Sequence, residues 1–73
     1  MRFKVNDIVK ISKKSKWYGK SCSLTNPKDM EGKILTTQRE SDFGYFINVK
    51  WKNGHICFFT ESDLGLVRRP NEN

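Results

Sequence analysis

Five lysines and no acidic residue lie in Lys10-Ile11-Ser12-Lys13-Lys14-Ser15-Lys16-Trp17-Tyr18-Gly19-Lys20, with a tryptophan and a tyrosine set among them. Residue types in this pattern suit the binding of a phosphate backbone. Ammonium groups on flexible stems neutralise phosphates without demanding a fixed fork geometry, and an indole or phenol between them can stack on a base. Lys10, Lys13, Lys14, Lys16, Trp17, Tyr18 and Lys20 are therefore the candidate nucleic-acid-binding residues, for DNA or RNA alike. The plainer reading is that Trp17 folds over an open end of the domain and the lysines form the solvated side of a loop.

A second candidate surface comes from the alternation on either side of Asn53-Gly54. Two period-2 runs meet there, which predicts a hairpin with a two-residue type I′ turn. In that register Trp51 faces Ile56 and Val49 faces Phe58 on one side of the ribbon, while Lys50 faces Cys57 and Asn48 faces Phe59 on the other. The first side is core, and Trp51 at its turn end reads as structural. The second side brings Phe46, Lys50, Cys57 and Phe59 together, with Tyr45 nearby, on a surface suited to an apolar protein segment or to pairing with an added strand. Its plainer reading is coverage by the long loop that carries Trp17, Tyr18, Leu24 and Met30.

Catalytic chemistry finds little support. His55, the only histidine, sits beside the hairpin turn, and neither Cys22 nor Cys57 has a base nearby in sequence to activate it. Glu40 and Asp42 flank a turn, and Glu61 and Asp63 lie at a short helical turn, where acids serve capping and solubility. There is no phosphate-binding Gly-rich loop, dinucleotide turn or metal-ligand spacing. The expectation is a non-enzymatic protein with no cofactor and no metal.

At 73 residues the chain has room for one small core and none for a second lobe around a deep cleft. Its 14 Lys and Arg against 8 Asp and Glu give a formal charge of +6, which favours acidic partners and also serves solubility. Cys22 and Cys57 read as free thiols of a reducing compartment, with a single bridge between them as the other possibility. Residues Met1 to Asp7 lack the apolar run of a signal peptide, and no segment is long enough to cross a bilayer, so a soluble cytoplasmic protein without membrane contact is expected.

The elements that must position these groups are short strands. Val5, Val9 and Ile11 alternate with polar residues and predict a first strand over residues 7–11, with Ile8 and Lys10 on its other face. Periodicity is lost from Ser12 to Met30, a connection long enough to suggest function or disorder. A second strand follows over 32–39, then a polar turn through Glu40, Ser41, Asp42 and Gly44, a third strand over 45–51 and a fourth ending near Phe59. Thr60 then caps a single helical turn, of 3-10 type, before a last strand Leu66-Val67-Arg68. The domain spans residues 1–68, and the polar tail 69–73 is expected to fray. An exposed edge strand leaves a monomer or a weak homodimer open.

Five short strands, a long first loop and one helical turn before the last strand describe an all-β, SH3-like barrel. The segments Val5-Asn6-Asp7-Ile8-Val9-Lys10-Ile11, Gly32-Lys33-Ile34, Val49-Lys50-Trp51-Lys52-Asn53-Gly54 and Ser62-Asp63-Leu64-Gly65-Leu66-Val67 resemble small SH3-like proteins related to KOW and mind-bomb-type repeats. Trp17-Tyr18-Gly19-Lys20 with Asn26-Pro27-Lys28-Asp29 and Gly32 looks like the version found in short bacteriophage proteins. The resemblance implies a binding module for RNA, DNA or protein in a bacterial host cytoplasm: nucleic acid through the lysine loop, or alternatively a host or phage protein through the hairpin face. The chain departs from the pattern at Phe59-Thr60, where Tyr-Arg is common, and at His55-Ile56-Cys57, which is more apolar than usual.

Overall fold

Period-2 alternation produces five strands in the computed structural model, which describes residues 3–20, 22, 24–40 and 44–70. They are β1 (Ile8–Ile11), β2 (Gly32–Glu40), β3 (Gly44–Trp51), β4 (Ile56–Thr60) and β5 (Leu64–Arg68), with a 3-10 turn over Glu61–Asp63 between the last two. All pairings are antiparallel, and the strands form one sheet in the order β4-β3-β2-β1-β5. In a flat sheet the edge strands β4 and β5 would stand about 19 Å apart. A three-residue turn rising about 2 Å per residue does not span that gap, so the sheet rolls up, as expected for an SH3-like barrel. The turn expected through residues 41–43 and the tail residues 71–73 lie outside the described residues.

The core forms where alternate residues meet inside the roll. Val9 and Ile11 from β1, Ile34 from β2, Ile47, Val49 and Trp51 from β3, Phe59 from β4 and Leu64 from β5 are all buried, and Phe3 joins them. Gly32 is required by this packing. A Cβ there would sit 2.5 Å from both the Trp51 ring and a Val49 methyl carbon. Val5, expected to share the inner face with Val9, is half exposed because Asn6 adopts a φ of 76° and breaks the alternation. The last strand begins at buried Leu64, two residues earlier than its pattern predicts, and Leu66 is exposed. Arg69, placed by sequence in a fraying tail, donates from Nε to the buried Asp7 carboxylate at 3.3 Å.

The hairpin register differs from the expected one by one residue. Gly54 N–H donates to the Trp51 carbonyl and Trp51 N–H to the His55 carbonyl, both at 2.9 Å, so the loop is the three residues Lys52-Asn53-Gly54. Gly54 alone in this loop has a positive φ, at 89°. That is a turn followed by a left-handed glycine and not a type I′ turn, which needs φ > 0 at both central residues. Asn53 explains the choice: its Oδ1 accepts from His55 N–H, and its Nδ2 donates to the Leu24 carbonyl on the long loop, both at 2.9 Å. A slip of one residue turns every side chain of β4 to the other face. Phe59 now lies opposite Ile47 and stacks edge-on against Trp51 with centroids 5.6 Å apart, while Phe58 lies opposite Asn48, outside.

Candidate nucleic-acid interface

The connection between β1 and β2 is a chain of tight turns anchored at its ends and its middle. Ser12 N–H donates to the Asp63 carbonyl at 2.8 Å, and the Ser15 and Tyr18 amides close successive turns on Ser12 and Ser15. Buried Asn26 donates from Nδ2 to the Lys20 carbonyl at 3.0 Å, and Gly19, at a φ of 65°, donates to the Asn26 carbonyl. The Trp51 indole N–H reaches the Thr25 carbonyl at 2.8 Å. The loop therefore lies over the Trp51 end of the core. Among the described residues it leaves Ile56 and Phe58 of the outer hairpin face exposed, in place of the coverage that was the plainer expectation for that surface.

Asp63 joins this loop to the 3-10 turn. Its Oδ1 accepts from the Ser15 hydroxyl at 3.0 Å, and its Oδ2 accepts from the Thr60 hydroxyl at 2.8 Å and the Thr60 N–H at 3.3 Å. Ser15 Oγ in turn accepts from Trp17 N–H at 3.1 Å. A carboxylate shared in this way orients the Lys16-Trp17 segment without touching it.

Among the sequence candidates, Lys13, Lys14, Lys16 and Lys20 are exposed on the loop, and Trp17 and Tyr18 are half-buried against the core. Trp17 packs against the core as its plainer reading expects, and Lys16 Nζ sits 5.1 Å from its ring centroid. Lys28 lies 5.9 Å from the Tyr18 ring. Burial, helped by the Asp29 carboxylate, pushes the Tyr18 phenol above its ordinary range, so it stays a neutral donor. Lys10 belongs to β1, and its charge acts on Glu31. Lys16 and Trp17 line an open groove of about 530 Å³ together with Phe46, Phe58, Thr60 and Asp63.

The alternative protein-binding set is divided by the register. Phe46 and Lys50 lie on the outer face as expected, but Phe59 is 3% exposed in the core and Cys57 is half-buried against it. Phe58 and Ile56, 60% and 55% exposed, stand on the outer face in their place. Phe58 meets Phe46 edge-on, with centroids 5.4 Å apart. Neither Phe58 nor Ile56 was singled out from the sequence. The signal that could have found them is Lys52-Asn53-Gly54 read as a three-residue loop with glycine in the left-handed position.

Beside the hairpin turn Glu31 pairs with Arg68 at 3.1 Å and with Lys52 at 3.9 Å. The Arg68 hydrogen bond, with the charges of Arg68, Lys52 and Lys10, holds the Glu31 carboxyl below its ordinary value. Cys22 and Cys57 are free thiols. Among the described residues no cluster of three or more His, Cys, Asp or Glu is placed to hold a metal ion, and no helix is long and apolar enough to cross a membrane. No protein-family model, curated protein or solved structure matches the chain.

Proposed function

We propose that this chain is a non-enzymatic module that binds nucleic acid through the loop between β1 and β2. The observation that carries the reading is the loop itself: four exposed lysines, Lys13, Lys14, Lys16 and Lys20, on a backbone tied to Asp63 and Trp51 and opening onto an aromatic groove. Holding ammonium groups on an ordered loop lowers the conformational entropy lost when a phosphate backbone settles on them. The formal charge of +6 adds long-range attraction for a polyanion. Trp17, half-buried on one side, is pre-oriented for contact on the other.

Fluorescence anisotropy with a labelled twelve-nucleotide strand and its duplex, across a salt series, tests the reading. If the four loop lysines meet phosphates, log affinity falls against log salt with a slope of about −2.8 for a single strand or −3.6 for duplex DNA. The triple variant Lys13→Glu, Lys14→Glu, Lys16→Glu weakens binding and flattens the single-strand slope by about 2. A salt-independent affinity, or a triple variant that binds as the parent does, refutes the proposal.

A further inference from the structure

We infer that the outer face of β2, β3 and β4 is a second part of the interface, built to take unpaired bases, and that the ligand is therefore single-stranded. The inference rests on the nucleic-acid reading above and extends it to a surface outside the lysine loop.

Three cross-strand rows make up this face. The pairing sets Lys33, Lys50 and Ile56 in one row, Thr36, Asn48 and Phe58 in the next, and Gln38, Phe46 and Thr60 in the third. Two rings, amides, hydroxyls and two cations share the surface, and no side chain of these rows is acidic. Two acids at its margins are already engaged: Asp63 by Ser15 and Thr60, Glu31 by Arg68 and Lys52.

Two features are unfavourable in the free protein. Lys33 and Lys50 stand directly opposite one another, and like charges in facing positions of a sheet repel. Among the described residues neither meets an acidic partner. One row along, Phe58 leaves 60% of its surface in water. A nucleotide relieves both at once, with its phosphate between the two ammonium groups and its base on the ring. The lysine row and the Phe58 row are about 7 Å apart along β3, and Phe46 lies a similar step further on. Phe46 and Phe58 share a groove with Lys16, Trp17 and the engaged Asp63, so a lysine also borders the aromatic rows there. Only an unpaired base can lay its flat face on a phenyl ring, because a duplex stacks those faces internally and offers edges. An apolar peptide would satisfy Phe58 but leave the facing lysines repelling each other.

The test compares a labelled dT12 strand, a twelve-site abasic strand and a twelve-base-pair duplex by anisotropy. The parent protein should bind dT12 more tightly than the duplex. Phe58→Ala should weaken dT12 binding about tenfold or more with the salt slope unchanged, because stacking is not ionic. Phe58→Trp should restore it, which separates loss of a platform from loss of fold. On the abasic strand, parent and Phe58→Ala should bind alike, and Lys33→Glu, Lys50→Glu should flatten the slope by about 1.4. If Phe58→Ala binds dT12 as the parent does while the loop triple variant is weakened, the sheet-face inference fails and the loop reading stands. If neither strand nor duplex binds the parent, both fail. Self-association that sedimentation detects and Phe58→Ala abolishes, with dT12 affinity unchanged, assigns the face to a second copy and overturns the inference.

Discussion

Replacing Asp63 by alanine removes a side chain that ties the lysine loop to the 3-10 turn. Three hydrogen bonds are lost, from the Ser15 hydroxyl at 3.0 Å, the Thr60 hydroxyl at 2.8 Å and the Thr60 N–H at 3.3 Å. The third is at the long end of the useful range and closes a capping box worth about 1 kcal/mol. The two hydroxyl bonds go to a charged acceptor that is only part-buried, which puts them at the lower end of about 1.5–3 kcal/mol each. Each hydroxyl can turn to water once the carboxylate is gone, so the net cost of Asp63→Ala is about 2–3 kcal/mol. For a domain of this size each kcal/mol lowers Tm by about 4–8 °C. Urea unfolding, followed by the emission of Trp17 and Trp51, measures the loss. Ser15→Ala alone should cost less, and the double variant should fall short of additivity by about 1 kcal/mol because both singles break the same bond.

Binding supplies a sharper test, since two effects of Asp63→Ala have opposite signs. Removing the carboxylate raises the formal charge from +6 to +7, which by charge alone tightens the hold on a polyanion. Freeing Ser15 and Trp17 from their anchor loosens the loop and costs ordering entropy on binding. The positioning argument predicts that affinity for the single strand falls despite the added charge. An Asp63→Ala protein within about 0.5 kcal/mol of the parent in stability, additive with Ser15→Ala, or tighter on the strand, refutes it.

Gly32→Ala should destabilise the fold by about 1–3 kcal/mol, because the new methyl would sit 2.5 Å from the Trp51 ring and from a Val49 methyl carbon, both held in the core; an unchanged Tm in a thermal scan would contradict the packing. Glu31 has a depressed folded-state value, so its stabilising contribution is fully present above its unfolded pKa of about 4.3 and is lost as pH falls through the lower folded one. The stability gap between the parent and Glu31→Gln, read by urea midpoints from pH 7 down to pH 2, should therefore close on the acid side, and a gap that widens there would reverse the sign of the argument.

Strand positions were legible because alternation of apolar and polar residues survives in a half-buried sheet, and the 3-10 turn was legible from Thr60 followed by Glu61, Ser62 and Asp63. The hairpin register was not. His55-Ile56-Cys57-Phe58-Phe59 is apolar on both phases, so shifting it by one residue leaves an aromatic inside either way. Asn53-Gly54 is compatible with both a two-residue and a three-residue loop. Long-range contacts decided between them, above all the Asn53 amide on the Leu24 carbonyl and the edge-on packing of Phe59 against Trp51. Likewise the residue types of Trp17 and Tyr18 announced that the long loop would pack somewhere. Where it packs depends on the Trp51 indole meeting the Thr25 carbonyl, 26 residues away in sequence, a contact that local pattern does not encode.

The slip in register changes the chemistry of the molecule as well as its geometry. In the expected pairing Cys57 and Phe59 would have shared the outer face with Lys50 and Phe46, within reach of a long loop able to cover them. With Phe59 inside and the loop drawn onto Trp51, the outer face keeps Lys50 and Phe46 and gains Phe58 and Ile56. Phe58 also shares a groove with Lys16 and Trp17, as Phe46 does. Two surfaces that the sequence presents as rivals, a lysine loop for nucleic acid and an aromatic face for protein, therefore border one another. A cation row, two aromatic rows and a second cationic loop in succession repeat the alternation of phosphate and base along a strand. For that reason the Phe58 variants, more than any loop variant, decide whether the two surfaces serve one ligand.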